Sequence, residues 1–564
     1  MGSKKRFVET FVHALLESRG QKLVVALVTL AALVSSIWLV VAGQVKVKLL
    51  PNQFADHFAI YIDLPENARV HQTKEVTQCI ADILKQEKIV TNFSIFLGEA
   101  GPVDFSAIIK GRIFQTGENI ANMLINLKKE EERDESSIEA VHRLRPLIQR
   151  KCALHGANIK FIQSPAGPPY VAALVLEIKS DAPYEKIRKL AYRIKPLFAK
   201  IKGVEDIDVL TESPVARYEV KLNREKIKRS LLTIEQVKQI LYTAFEGVNI
   251  AYTQEYDTQG AIPVHLVLNE ASKRFDARNK EAILAKFSQL KLLNPKGMQI
   301  PLSELVAIEK TPKGATVKSK NLYPMVEVVG ETDGISQIYA LMDIRDLIFN
   351  RFAEDYEIQK AGLFDLDLKN KKTKEVFHLH WDGEQKTSWD TVTDLSKALG
   401  MAIVLIFFMM VVYYKNFSLA GAVVLASFLS IFGVIYMHGI WNLFSDMPFY
   451  LTGTSLVGFI ALIGINSRNS LLIIDFAKQL VEEKGLDVVR AIAIATNTRA
   501  RPILLTVLAI VFASALLTLD PVFGGLGVAL IGGTLASYLV SLFVVPIMIL
   551  RPLERLYLPK NEEI

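Results

Sequence analysis

Cysteine is nearly missing. Cys79 and Cys152 are the only two in 564 residues, too few for a disulfide framework or a Cys-rich metal centre. No GxxxxGK[ST] loop occurs anywhere, so ATP is not an energy source on this chain. Charge is scarce as well, at 22% of residues against 50% hydrophobic, and the mean hydropathy is +0.26 where a soluble chain of this length reads negative. The scarcity is local: long uncharged stretches sit near the start and after residue 398, with ordinary charged sequence between. That distribution excludes a soluble enzyme, a disordered protein and a small secreted scaffold. The net charge of +7 does not point to nucleic acid, because much of the Lys/Arg excess flanks the apolar stretches, where it sets membrane topology.

The first apolar stretch, Leu23–Gly43, is long enough for one spanning helix and follows Lys4, Lys5, Arg6, Arg19 and Lys22. A cleaved signal peptide has a shorter apolar core and a small-residue cleavage site, so this segment reads as an uncleaved anchor. Five more candidates follow: Ala398–Tyr414, Phe417–Met437, Tyr450–Phe476, Pro502–Leu519 and Gly524–Leu550. Threaded alternately, they put Lys415, the charged segment of about 477–500 and the 551–564 tail on the N-terminal side. The opposite loops, His438–Phe449 and Asp520–Phe523, contain no Lys or Arg. The expected topology is six spans with residues 1–22 and both termini in the cytoplasm and 44–397 outside. Gly525, Ala529, Gly533 and Ser537 recur every four residues on the last span, a stripe that permits close helix packing.

The outer region alternates strand and helix patterns. His57–Leu64, a helix over Val70–Glu87, strands at Val90–Leu97 and Ser106–Phe114, a helix at Ser136–His155 and a strand at Asn158–Gln163 give β-α-β-β-α-β, the split βαβ of ferredoxin-like units. A second set starts near Val171, with a helix at Tyr184–Ile201 and a strand at Glu205–Leu210, and resumes near Pro324 after an insert. The expected fold class is a polytopic α-helical membrane protein with a large α+β domain. Its divisions are 44–165 for the first subdomain, 166–216 with 320–393 for the second, 217–319 for the insert and 394–550 for the five-helix bundle.

Several blocks, in order along nearly the whole chain, resemble one family. GINSRNSLLIIDFAK (Gly464–Lys478), RARPILLT (Arg499–Thr506) and DPVFGGLGVALIGG (Asp520–Gly533) look like the tenth to twelfth helices of resistance–nodulation–division (RND) efflux transporters of the acriflavine/multidrug type. The stretch GRIFQTGENIANMLINLKKEEERDESS, then GANIKF and GPPYVAALVLEI, resembles that family's porter domain, and Trp381–Gly383 falls at its aromatic-glycine element before helix eight. The resemblance implies two porter subdomains, a docking insert and proton antiport across a Gram-negative inner membrane, with no cofactor and no enzymatic activity. Family members are roughly twice as long and contain two related halves; the chain resembles the C-terminal half, which implies either a separate N-terminal-half subunit or assembly of the half with itself, and the first is the expectation. The same resemblance implies three such pairs in a trimer, with a periplasmic adaptor and an outer-membrane channel.

Arg468 lies inside the apolar run, where a cation costs roughly 2.5–3.5 kcal/mol and needs a partner. The span interiors contain no Asp or Glu; Asp475 and Asp520 sit at their ends. By resemblance, the partner is a carboxylate on helix four of the other half, and Arg468 and Asn469, with Arg499 and Thr506, form the proton relay. A guanidinium keeps its proton at any working pH, so the carboxylate carries the transported one. Arg499 and Arg501 equally suit positive-inside anchors, and Thr506 equally suits a bond to its own backbone. His378 and His380 read as solvent-facing strand residues rather than half a metal site, and Met123, Met298, Met325 and Met342 show no soft-ligand cluster. Cys79 and Cys152, on the two helices of one subdomain, read as buried free thiols. The expected cargo is organic and amphiphilic; the alternatives are a heavy-metal RND exporter and an export accessory resembling the SecD/SecF pair.

Overall fold

The computed structural model describes residues 7–48, 55–163, 169–212, 215–256, 260–273, 279–444, 449–520 and 522–557. The end of the expected tail, 558–564, and residues 445–448 and 521 of the two expected loops lie outside them. The chain divides into two compact units: Met1–Thr211 with Val317–Ile564, and Glu212–Thr316. The insert thus starts and ends a few residues before the 217–319 read from sequence.

The larger unit holds two α/β subdomains. In the first, strands His57–Asp63, Val90–Leu97, Ile120–Leu127 and Asn158–Ile162 form an antiparallel sheet whose spatial order is second, third, first, fourth. Helices Val70–Leu84 and Ser137–Cys152 supply Val76, Ile80, Leu144 and Ile148 to a core with Phe58, Ile60, Met123 and Ile125. The period-two pattern of the strands turns these apolar residues toward the helices. The third strand was expected at Ser106–Phe114, and that reading is wrong. There Asp104 caps a short helix, Phe105–Ile109, and Gly111, at φ 68°, reverses the chain into a 3₁₀ turn at Arg112–Phe114.

The second subdomain repeats the same strand order. Val204–Val209, Tyr323–Thr332, Leu174–Lys179 and Val376–Asp382 lie side by side, and three further strands extend the sheet to seven. Helices Tyr184–Phe198 and Gln337–Phe352 bury Ile187, Ile194, Phe198, Leu341 and Ile344 against it. The smaller unit pairs Ala216–Leu222 with Val306–Pro312 and has its own core around Ile227, Val237, Ile283, Phe287 and Leu302.

Cys79 and Cys152 form a disulfide with Cα atoms 5.6 Å apart, which corrects the expectation of free thiols. The two helices of the first subdomain pack on the same face of their sheet, and that packing brings the thiols together.

Among the described residues six helices are long and apolar enough to cross a membrane: Arg19–Val41, Glu384–Tyr414, Phe417–Asn442, Gly453–Lys484, Val488–Leu517 and Gly524–Tyr557. They are called the first to sixth below. Several overrun the apolar windows read from sequence. The second begins at Glu384, fourteen residues before Ala398, and the charged segment of about 477–500 is not a separate linker but the ends of the fourth and fifth helices. An additional helix, Phe7–Glu17, packs against the fifth. The third helix runs to Asn442, so His438, expected in a loop, is helical and fully buried.

Candidate functional site

The fourth helix opens on a capping box at Thr452, whose Oγ1 accepts from the Ser455 amide. From there Phe459, Leu462, Ile463, Asn466, Ser470, Ile473, Ile474 and Ala477 are buried at three- and four-residue spacing. Val457, Ala461, Gly464 and Arg468 recur on the opposite, exposed face. Arg468 and its neighbour Asn469 therefore point to different sides: Arg468 outward from the bundle, Asn469 into it at 4% exposure. Among the described residues no carboxylate lies within 4.0 Å of the Arg468 guanidinium. Asn469 keeps a buried Nδ2 without a hydrogen-bond partner.

Asp475 is not at a helix end as expected. It lies nine residues before the last residue of the fourth helix and accepts a hydrogen bond from Tyr413 Oη of the second helix at 3.1 Å. It follows Arg468 by seven residues, hence on the same face and about 10 Å along the axis. Inside the bundle, Asn466 Nδ2 donates to Ser430 Oγ at 2.6 Å, and Ser467 Oγ lies 3.1 Å from Ser427 Oγ of the third helix.

On the fifth helix, the half-buried Arg499 stacks its guanidinium 5.1 Å from the Phe476 ring centroid and leaves a buried Nε unpaired. Thr506 Oγ1 donates to the Pro502 carbonyl at 3.1 Å, the local backbone bond that sequence allowed. Among the described residues no hydrogen bond or ion pair joins Arg468, Asn469, Arg499 and Thr506 to one another.

The sixth helix packs on the fourth and third through its small residues. A Cβ on Gly525 would sit 2.6 Å from Ser455 Oγ, one on Gly533 would strike Leu462, and Ala529 Cβ lies 3.2 Å from where a Cβ on Gly458 would be. Ser537, the last of the four, is 2% exposed with an unpaired Oγ. Two pairs of small residues that the four-residue stripe does not include, Gly433 with Ala536 and Gly433 with Gly532, are packed as tightly: a Cβ on Gly433 would strike both.

Between the two α/β subdomains lies a charged cleft of about 70 Å³ lined by Tyr61, Asp63, Lys110, Arg112, Lys160 and Glu331, among others. Arg112, 4% exposed, donates to Asp63, to Asn122 Oδ1 at 2.6 Å and to the Ala121 carbonyl at 2.8 Å. Burial pushes the Asp63 carboxyl up, but Lys160 and Arg112 outweigh it and hold it below the usual carboxylate value. Burial, then Asp104, pushes Tyr61 up to about 12. Four cross-subdomain ion pairs span the contact: Lys160–Asp208, Arg145–Asp206, Lys110–Glu331 at 3.1 Å and His142–Asp333 at 2.8 Å. Sequence gave no warning of these pairs, because each joins residues far apart in the chain.

His378 pairs with Asp367 of the neighbouring strand and His380 with Asp365 just before that strand, each at 2.7 Å. Among the described residues no group of three His, Cys, Asp or Glu is placed to hold a metal ion.

The sequence matches the AcrB/AcrD/AcrF family over residues 3–551. Curated relatives include the multidrug export protein AcrF of Escherichia coli K12, 23% identical over 549 residues, which covers 90% of this chain and 46% of AcrF. The multidrug resistance protein MdtF of the same strain is 23% identical over 95% of this chain and 48% of its own. The cobalt-zinc-cadmium resistance protein CzcA of Cupriavidus metallidurans is also 23% identical, over 76% of this chain and 38% of its own. The chain spans about half the length of the multidrug relatives it matches. With one match running from residue 3 to residue 551, over both α/β subdomains and all six apolar helices, the chain belongs to the AcrB/AcrD/AcrF family of RND transporters.

Proposed function

We propose that this chain is the C-terminal-half subunit of a proton-driven RND efflux permease that exports organic, amphiphilic compounds. The observation that carries the reading is Arg468, exposed on the bundle surface in the middle of the fourth helix, with no carboxylate among the described residues within 4.0 Å of its guanidinium. A guanidinium facing lipid at that depth costs roughly 2.5–3.5 kcal/mol. A second six-helix set that presents an intramembrane Asp to this face removes the cost and supplies the group that takes the transported proton. Protonation of that carboxylate breaks its pairing with Arg468, and the helices shift; Asn469, Arg499 and Thr506 supply polar groups beside that path.

In this reading both termini are cytoplasmic, the α/β domain is periplasmic, and the membrane is a Gram-negative inner membrane. The partner is an N-terminal-half RND chain, and three such pairs form a trimer that docks an adaptor and an outer-membrane channel. No nucleic acid takes part, and the proton-motive force is the only energy source.

The test is purification from native membranes followed by native mass spectrometry. A distinct six-helix chain in equal amount supports the reading; transport by this chain alone, reconstituted without any other, overturns it. The likeness to CzcA favours a second reading, metal export. Gene deletion that sensitises cells to cobalt, zinc or cadmium and to no dye or detergent would establish that alternative.

A further inference from the structure

His438 is a buried titratable side chain that the relay above leaves unused. It lies on the third helix at 0% exposure. Its Nδ1 is 2.8 Å from the Val434 carbonyl oxygen, which can only accept, so Nδ1 carries the ring proton and donates. Nε2 is therefore the free acceptor, and it lies 3.0 Å from Ser455 Oγ at the start of the fourth helix.

From Ser455 the contacts continue outward. Ser455 Oγ is 3.1 Å from Thr452 Oγ1, Thr452 Oγ1 is 2.8 Å from Thr454 Oγ1, and Thr454 Oγ1 donates to the Val522 carbonyl at 3.3 Å. Three hydroxyls thus lead from a sealed imidazole to the end of the bundle. That end is the one joined to the α/β domain: the Leu451 amide donates to the Lys46 carbonyl at 2.9 Å, and Lys46 Nζ reaches the Gly334 carbonyl at 2.8 Å.

A second observation concerns the sixth helix. Gly525 faces this corner, and a Cβ there would collide with Thr452 Oγ1 and sit 2.6 Å from Ser455 Oγ. The glycine leaves room for the hydroxyls. Helix capping alone accounts for Thr452 and Ser455, but not for an imidazole where a Leu or Phe would fill the space without burying a polar ring. Competing groups are few. Besides His438 the third helix carries one titratable residue, Tyr436, whose Oη lies 2.5 Å from Ser35 Oγ of the first helix, and the stretches Gly453–Asn466 and Gly524–Gly533 carry none. On the 449–452 segment the titratable group is Tyr450, with Lys48 Nζ 5.7 Å from its ring centroid, and Asp520 is bound to the Val522 and Phe523 amides.

We propose that His438 is a second protonation site of this transporter, loaded from the α/β-domain end of the bundle through Thr454, Thr452 and Ser455. The proposal rests on the proton-driven reading above. In the loading step Nε2 takes the Ser455 hydroxyl proton, and Ser455 Oγ takes the proton of Thr452. Thr452 is resupplied from Thr454, and Thr454 from a hydronium ion of the solvent at that end. Only N–H and O–H bonds form and break, and the imidazolium carries the one added charge. Unloading is the reverse transfer: Nε2 returns its proton to Ser455 Oγ, and the hydroxyls of Thr452 and Thr454 pass one on to solvent at the same end.

The experiment uses the full protein, with whatever chains co-purify, in lipid nanodiscs with ¹⁵N-labelled histidine rings, titrated from about pH 5 to about pH 9. Nine histidines are present, so the signal is assigned by difference against His438→Gln, which keeps a neutral donor and acceptor. One ring that titrates in the wild type and is missing in the variant is the expected result. Identical histidine titrations in the two proteins would overturn the proposal. In parallel, ethidium efflux from re-energised cells should be about a hundredfold slower in His438→Gln at equal membrane level. Wild-type efflux and pH profile in that variant would also overturn it. If deletion of the whole gene leaves ethidium efflux unchanged, the efflux reading is at fault, and the ring titration alone decides His438.

Discussion

Gly433 of the third helix and Gly532 of the sixth meet backbone to backbone: a Cβ placed on either would run into the carbonyl oxygen of the other. Two helices approach this closely only where both lack side chains, and in a bilayer such contact replaces the hydrophobic effect as the force between helices. The approach fixes the sixth helix against the third, and so fixes the Gly525 corner beside Ser455.

Gly433→Val and Gly532→Val should each destabilise the bundle by about 3 kcal/mol, since the obstacle is backbone and cannot rotate away. Gly464→Ala is the control, because a Cβ there meets nothing within 4 Å. Thermal unfolding in detergent, followed by size-exclusion chromatography, should show early loss for the first two and wild-type behaviour for the third.

The Cys79–Cys152 disulfide closes a sequence separation of 73 residues. Removing it with paired Cys→Ser substitutions should cost about 2–4 kcal/mol in the first α/β subdomain. Limited proteolysis should then cut within residues 57–162 while the six helices stay intact. Cleavage equal to wild type would show that the bridge contributes nothing to stability.

The His142–Asp333 pair makes the contact between the two subdomains depend on pH. The hydrogen bond that the His142 ring N–H donates to the Asp333 carboxylate raises the His142 pKa, outweighing partial burial. A raised histidine contributes fully below its unfolded value, near 6.5, and loses that contribution as pH climbs through the higher folded value. Hydrogen-exchange protection at residues 139–145 and 331–336, taken relative to the intrinsic exchange rate at each pH, should therefore fall as pH rises from about 6 to about 9. His142→Ala should remove the dependence. Both side chains are partly exposed, so the effect is modest.

On the proposed pairing, Arg468→Ala would leave a partner carboxylate unpaired and, through desolvation, protonated, so efflux should fall to near background. Arg468→Lys keeps the charge and loses the planar fork, so partial efflux should survive. Both should fold, because the small-residue contacts of the sixth helix lie elsewhere. Drug susceptibility at matched expression ranks the three; full activity in the Ala variant would make Arg468 a surface residue without a role in coupling.

The sequence by itself determined where the apolar helices lie and how the α/β strands follow one another. Spanning a bilayer takes about 20 uninterrupted apolar residues, and half-buried strands alternate in hydrophobicity, so both leave local signals. The same hydropathy signal misread the helix ends. It reports contact with lipid, whereas the second helix extends back through charged residues to Glu384 because its backbone bonds do not depend on lipid. The strand expected at Ser106–Phe114 failed for a related reason: the Asp104 cap and the left-handed Gly111 override a short β-like pattern. Tertiary structure alone decided which residues face one another. It joined Cys79 to Cys152, buried His438 against Ser455, set Asp475 on Tyr413, and turned Arg468 outward from Asn469. Each of these depends on the rotation and contact of two helices, which no local run of residues encodes.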